Sequence, residues 1–155
     1  MINQRGKYLV MLDAASETNG GTLTSNKLDT KGFKKARIVV WSSTAATNKI
    51  PTTLKLSEAD DTTTTMTDIV AFTGGTSVVA GSTGFVIPTP EGTQSDSTYK
   101  PFMVFDADLR GRKRYLTLTI VPITTQTYYA VAELTRGEEM PNTTTEANIR
   151  GYAEG

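Results

Sequence analysis

The sequence predicts an all-β protein, a single β-sandwich or jelly-roll-like domain of about seven or eight short strands with extended terminal arms. Threonine is the first reason: 28 of the 155 residues are threonine, a β-branched residue that suits a pleated sheet and forms helices poorly. The second reason is that short runs alternate apolar and polar residues and are separated by turn-forming residues. The length corresponds to one domain that can bury a core.

The strands are predicted from period-two alternation. Leu54 and Leu56 alternate with polar residues, which is typical of a half-buried strand. Ala36, Ile38 and Val40 share one face of another run, and the opposite face is also partly apolar. Both faces of that strand are therefore expected to be covered, as in a central strand. In chain order the predicted strands are 8–12, 36–41, 53–57, 68–72, 84–87, 103–108, 115–120 and 128–135.

The segments between and beyond these strands are predicted to lie outside the core. The threonine run 62–65 is expected at a hairpin tip, Gly74-Gly75 in a turn, and 91–100 in a long loop. Residues 1–136 form the predicted sandwich domain, with 1–7 as a candidate N-terminal arm. The polar segment 137–155 is predicted to be a C-terminal arm or tail, and its spaced apolar side chains are candidate anchors on a neighbouring subunit. These anchors are Met140, Ile149 and Tyr152.

Composition excludes several kinds of chemistry. The chain has no Cys and no His, which removes disulfides, thiolate nucleophiles, Cys/His zinc sites and the Ser-His-Asp triad. Adjacent carboxylates such as Asp60 and Asp61 point apart in a strand or turn, whereas glycosidases place two carboxylates on opposite sides of one bond. We therefore predict a protein that is not an enzyme and has no cofactor and no metal site.

Charge and hydropathy limit the partners. The formal net charge is zero, which argues against nucleic acid as the main partner. No apolar run approaches the roughly 18–20 residues of a membrane span. The apolar run 8–12 is too short for the core of a signal peptide, which needs about 7–15 residues. The expectation is a soluble protein that acts without export or membrane contact.

Residues 106–111 begin like a calcium-binding loop. An EF-hand loop requires an oxygen ligand at its fifth position and a glutamate at its twelfth, but Arg110 and Thr117 occupy these positions. Asp106 and Asp108 are instead expected to share one strand face and to pair with nearby arginines. Trp41, the only tryptophan, is expected to be a core anchor.

A cluster of cations follows the predicted strand 103–108. It consists of Arg110, Arg112, Lys113 and Arg114. One interpretation is a contact with an acidic surface on a partner protein, and the other is a solvated hairpin tip. Nucleic acid is less favoured, because no aromatic residue apart from Tyr115 accompanies these cations.

Several short runs resemble small structural proteins in the particles of tailed bacteriophages. The runs are DTKGF (29–33), ARIVV (36–40), PTTLKL (51–56), EADD (58–61), FTGG (72–75), DLRGRKRYL (108–116) and AVAEL (130–134). This resemblance implies a β-sandwich that decorates and cements the capsid by non-covalent contacts with the major capsid protein. It also implies a homotrimer or homodimer, present in the host cytoplasm during assembly and then on the capsid surface of the virion.

Two other functions stay open. The first is a component of the neck or tail, such as a head-completion or adaptor protein. The second is a carbohydrate-binding β-sandwich on the virion surface, which needs exposed aromatic rings on one face. The candidates for these rings are Tyr99, Tyr128, Tyr129 and Tyr152.

Overall fold

The computed structural model describes residues 6–43, 51–75, 84–87 and 100–135, and in these ranges it contains ten β-strands and no helix. No helix within these ranges is long and apolar enough to cross a membrane. The strands are β1 (Gly6–Glu17), β2 (Leu23–Thr24), β3 (Leu28–Asp29), β4 (Lys35–Ser42), β5 (Thr53–Ala59), β6 (Thr67–Gly75), β7 (Phe85–Val86), β8 (Lys100–Asp108), β9 (Tyr115–Val121) and β10 (Gln126–Thr135). The predicted all-β class is confirmed.

The strands form two sheets. The four-stranded sheet has the order β1-β10-β4-β8, and every neighbouring pair is antiparallel. The six-stranded sheet has the order β2-β9-β5-β6-β7, with β3 pairing with the same edge of β9 as β2. Only the short β6–β7 pairing is parallel among the pairings described. The strand 36–41, predicted to be central, lies in β4 between two other strands.

The core lies between the two sheets, so the fold is a β-sandwich. Along β4 and β10, for example, alternate residues point inward, as the period of two requires. Ile38 and Ala132 from the four-stranded sheet are fully buried, as are Leu56 and Leu118 from the other sheet. Phe105 joins the two layers, because its ring meets the rings of Phe72 and Phe85 edge to face, with centroids 5.8 and 5.7 Å apart. The jelly-roll connectivity stays a prediction.

Most predicted strands are present and are longer than predicted, while β2 and β3 were not predicted. Two local predictions are wrong. Gly74 and Gly75 lie inside β6 and pair with β5 and β7 instead of forming a turn. Lys100 begins β8 and so does not belong to a loop; residues 91–99 of that predicted loop lie outside the described ranges.

The threonine run 62–65 lies at the tip of the β5–β6 hairpin, as predicted. Asp61 organises this tip, since its carboxylate accepts hydrogen bonds from the backbone N–H groups of Thr63 and Thr64 at 2.7 and 2.6 Å. Hydrogen bonds of this kind favour the ionised carboxylate and hold the pKa of Asp61 far below its usual value. The run is therefore explained by local turn chemistry.

Candidate functional site

The outer face of the four-stranded sheet carries a row of polar side chains that crosses all four strands. In the sheet register Tyr8 lies opposite Glu133, Glu133 opposite Arg37, and Arg37 opposite Asp106. The Tyr8 hydroxyl donates to Glu133 Oε1 at 2.9 Å, and Arg37 donates to both oxygens of Asp106 at 2.8 and 3.2 Å. We call these four residues the polar row.

The hydrogen bonds of the polar row shift the pKa values of Tyr8 and Asp106 and so favour one protonation state of each. The Arg37 guanidinium holds the pKa of the Asp106 carboxyl below its usual value. The Glu133 carboxylate raises the pKa of the Tyr8 hydroxyl, because the hydrogen bond favours the protonated phenol. A depression of about 450 Å³ lies over this end of the sheet, and its lining includes Arg37, Asp106 and Glu133. These lining charges already have partners within the chain.

The next outward-facing row consists only of valines. Val10, Val131, Val39 and Val104 lie opposite one another in that order across β1, β10, β4 and β8. Val10 and Val104, on the two outer strands, are 54% and 45% exposed, while the two central valines are half-buried. We call these four residues the valine row.

Two aromatic residues lie in the next outward-facing row, beyond the valine row. Trp41 lies opposite Tyr129 on the same outer face, and both are half-buried. The prediction that Trp41 anchors the core is wrong. Its neighbour Val40 is fully buried, and successive side chains of a strand point to opposite faces, so Trp41 points away from the core.

The valine row, Trp41 and Tyr129 together form an apolar surface bordered by the polar row. Contiguous exposed apolar surface with a polar border is typical of a protein–protein or ligand contact. A rigid antiparallel sheet holds this surface in one shape. It is the candidate functional site that the described residues support best.

The predicted cation cluster lies at the turn between β8 and β9, and each of its cations meets a carboxylate. Arg110 pairs with Asp108 at 2.5 Å and Arg114 with Asp29 at 2.6 Å. Arg112 and Lys113 reach Glu58 and Asp60 at longer distances, both 3.6 Å. These four cations are thus gathered at one end of the molecule, but their charges are compensated within the chain.

The acidic residues of the supposed calcium loop behave as predicted. Asp106 and Asp108 share the outer face of β8 and pair with Arg37 and Arg110. In the ranges that the structure describes, no group of three or more acidic side chains is arranged to hold a metal ion.

The remaining predicted site residues divide into two groups. Met140, Ile149 and Tyr152 lie outside the described residues, as does Tyr99. Tyr128 is fully buried in the core, with its hydroxyl 2.5 Å from Gln126 Oε1. Burial raises the pKa of this hydroxyl well above its usual value. The expectation that Tyr128 supplies an exposed ring is wrong, because it shares the inward face of β10 with Ala130 and Ala132.

The valine row was not predicted as a site. The outward position of Val39 followed from alternation in its strand, but the order of the strands and their register did not. No protein-family model matches this chain, and none of the curated proteins compared with it matches it.

Proposed function

We propose that this chain is a structural protein of a tailed-phage particle that decorates and cements the capsid through non-covalent contacts with the major capsid protein. The observation that carries the proposal is the valine row on the outer face of the four-stranded sheet. The sequence resemblance to small phage structural proteins supplies the kind of particle. In this proposal the protein assembles in the host cytoplasm as a homotrimer or homodimer and then attaches to the capsid surface, without catalysis and without a cofactor.

The physical argument starts from the cost of leaving apolar surface in water. Burying a valine side chain contributes roughly 1.5–3 kcal/mol when it becomes fully covered. A partner that covers this face gains apolar contact at its centre, while the polar row can form part of a hydrated rim. A preformed sheet also loses little conformational entropy on binding. Cementing by shape and apolar contact requires no reactive group.

The copy number in purified particles tests this proposal. The phage or prophage that encodes the chain is induced, its particles are purified, and the band of this protein is compared with that of the major capsid protein on a quantitative gel. Hundreds of copies per particle are expected. A dozen copies or fewer would correspond to the ring symmetry of a neck or tail, and the capsid-surface proposal would be wrong. Complete absence from the particles would reject both positions.

One observation favours a second candidate, a carbohydrate-binding surface. Trp41 and Tyr129 lie side by side on the outer face, and sugar rings commonly stack on adjacent aromatic side chains. Glycan-array binding of the full chain, compared with a Trp41→Leu variant, tests this function. Binding that disappears in the variant would support the sugar surface, and no binding to any glycan would reject it.

A further inference from the structure

A second surface lies where the two sheets of the sandwich come together at their edges. It is a groove of about 370 Å³ between β1 and the β3 region, and its lining includes Leu9, Leu28 and Phe33 as apolar contacts. Leu28 is buried, and Leu9 and Phe33 are half-buried. This groove is on the side of the molecule opposite to β8, so Val104 does not contribute to it.

Lysines surround this apolar floor. Lys7 and Lys31 line the groove and have no carboxylate within 4 Å among the described residues, unlike the cations of the β8–β9 turn. Lys27 also lines the groove, and its Nζ donates to the carbonyl oxygen of Thr62. The groove therefore carries positive charge that the described part of the chain does not neutralise.

Asp29, the acidic residue of the lining, pairs with Arg114 and not with these lysines, and the attraction of Lys31 is the smallest of the causes that lower its pKa. Its two oxygens accept hydrogen bonds from Arg114 at 2.8 and 2.6 Å, and Oδ1 also accepts the backbone N–H of Lys31 at 3.0 Å. The Asp29 carboxylate is thus committed to Arg114. Carboxylates from outside could bind Lys7 and Lys31 without competing for an existing ion pair.

The wall of the groove formed by β1 is a sheet edge. Within the described residues β1 pairs with β10 on one side, and its other side receives one backbone hydrogen bond, from Asn26 N–H to the Met11 carbonyl at 3.1 Å. An edge strand presents backbone groups that can pair with a further strand. Val10, at the end of the valine row, stands beside this edge with more than half of its surface exposed.

We propose that this groove binds an extended, carboxylate-rich segment of a partner protein, which adds to the edge of β1 as a further strand. Alternate side chains of an added strand point to opposite faces. Its acidic side chains then point inward to Lys7 and Lys31, and its apolar side chains point outward and continue the valine row beyond Val10. This inference goes beyond the proposed function, because it holds whatever particle or complex the partner belongs to.

Binding of a defined peptide to the full chain tests the inference. The probe is a fluorescein-labelled ten-residue peptide of alternating glutamate and valine, and the measurement is fluorescence anisotropy at low and at moderate salt. We expect saturable binding, and we expect the double variant Lys7→Glu, Lys31→Glu to weaken it at least tenfold. Lys34→Glu is the matched control for the single variant Lys31→Glu, since both reverse one exposed charge and Lys34 lies outside the groove lining. It should change the affinity less than twofold.

Four further probes distinguish the addition of a strand from attraction to negative charge alone, and they identify the source of the bound segment. N-methylation of either all valines or all glutamates leaves the charge unchanged and blocks one set of backbone donors, so at least one of these two peptides should lose binding tenfold. A thymidine oligonucleotide of equal charge should bind at least tenfold more weakly than the glutamate–valine peptide. Failure of either expectation, or absence of peptide binding, overturns the inference. Equal competition by a free peptide of residues 136–155 would show that the occupant is a segment of this chain, and the inferred partner would be wrong.

The single variant Lys31→Glu distinguishes a loss of peptide binding from a loss of folding. Lys31 lies exposed in a turn after β3, so its replacement should leave the urea unfolding curve unchanged. Peptide affinity should fall at least threefold in this folded variant. Unchanged affinity would contradict the assigned role of Lys31 in the groove.

Discussion

Val10 and Val104 lie at opposite ends of one row of side chains that crosses all four strands of a sheet. The two central members, Val131 and Val39, separate them, and all four point away from the core. The ends of the row are on the two outer strands, β1 and β8. The row exists only because distant segments pair in register, and it leaves apolar surface in water that a binding partner can cover.

A lysine at one end of this row should strongly weaken attachment without unfolding the protein. In the proposed function, Val104→Lys places an unpaired charge in the apolar contact, and attachment to particles lacking the protein should fall at least tenfold, which corresponds to about 1.4 kcal/mol. Co-sedimentation with such particles measures this. The free energy of unfolding should change by about 0.5 kcal/mol or less, because the side chain is exposed.

Val70→Lys is the matched control for this variant. Val70 is 59% exposed but lies on β6 of the other sheet, so its replacement adds the same charge away from the valine row. Attachment of this variant should equal that of the unmodified chain. Equal loss in both variants would mean that net charge, and not the valine row, controls attachment.

Among the phenylalanines of the described ranges, truncation of Phe105 should destabilise the protein most. Its ring is 1% exposed and meets Phe72 and Phe85 from the opposite sheet. Phe105→Ala leaves a cavity between the sheets and should lower the free energy of unfolding by about 3–5 kcal/mol. Urea unfolding followed by the fluorescence of Trp41 measures this loss.

Phe33→Ala provides the comparison for the core variant. Phe33 is half-buried and packs at the margin of the core, so its truncation removes less contact and should cost less than half as much. A smaller loss for Phe105→Ala than for Phe33→Ala would contradict the position of Phe105 between the sheets.

The sequence predicts the strands that have strict alternation and misses those that do not. Leu116, Leu118 and Ile120 alternate with polar residues, and all three are fully buried in β9. β2 and β3 have two residues each, which is too short for a periodic signal. The Gly74-Gly75 pair has the composition of a turn, but a Cβ at Gly74 would lie 2.4 Å from the Phe85 ring, so this glycine permits close packing within a sheet.

The candidate site was less predictable than the strands because it depends on register. Alternation identifies which residues of one strand share a face, but it does not say which strands are neighbours. The valines that form the row are far apart in the sequence. The cation cluster is visible as a local run, yet its acidic partners include Asp29 and Glu58, which no local pattern connects to Arg114 and Arg112.

The ion pair between Asp29 and Arg114 should make a small contribution to stability that depends on pH. Arg114 lowers the pKa of Asp29 below the ordinary value of 3.8, so folding favours the ionised carboxylate. The stabilisation is therefore complete above about pH 4 and is lost as the pH falls through the lower pKa of the folded protein. Both side chains are partly exposed, which limits the contribution to about 0.2–1 kcal/mol.

Asp29→Asn isolates this effect, because the amide oxygen can still accept the backbone N–H of Lys31. The variant should unfold at a lower urea concentration than the unmodified chain at pH 7, and the difference should shrink as the pH falls toward 2.5. Asp13→Asn is the control, since Asp13 is exposed and forms no ion pair in the part of the chain that the structure describes. A difference for Asp29→Asn that stays constant over this pH range would contradict the ion-pair explanation.

Replacing Ala14 with glycine should stabilise the protein, whereas the same replacement at the neighbouring Ala15 should destabilise it. β1 shifts register between Leu12 and Ala15, and within this irregularity Ala14 has a φ of 46°. That conformation costs an L-residue about 1–2 kcal/mol, and glycine avoids this cost at an entropic penalty of roughly 0.5–1 kcal/mol. Ala14 is exposed, so no packing is lost, and Ala14→Gly should raise the free energy of unfolding by about 0.5 kcal/mol.

Ala15 packs against the core, and Ala15→Gly should lower the free energy of unfolding by about 1 kcal/mol through lost packing and added chain entropy. Urea unfolding of the two variants under identical conditions measures both changes, and a loss of equal size in both would mean that the backbone at Ala14 is not strained.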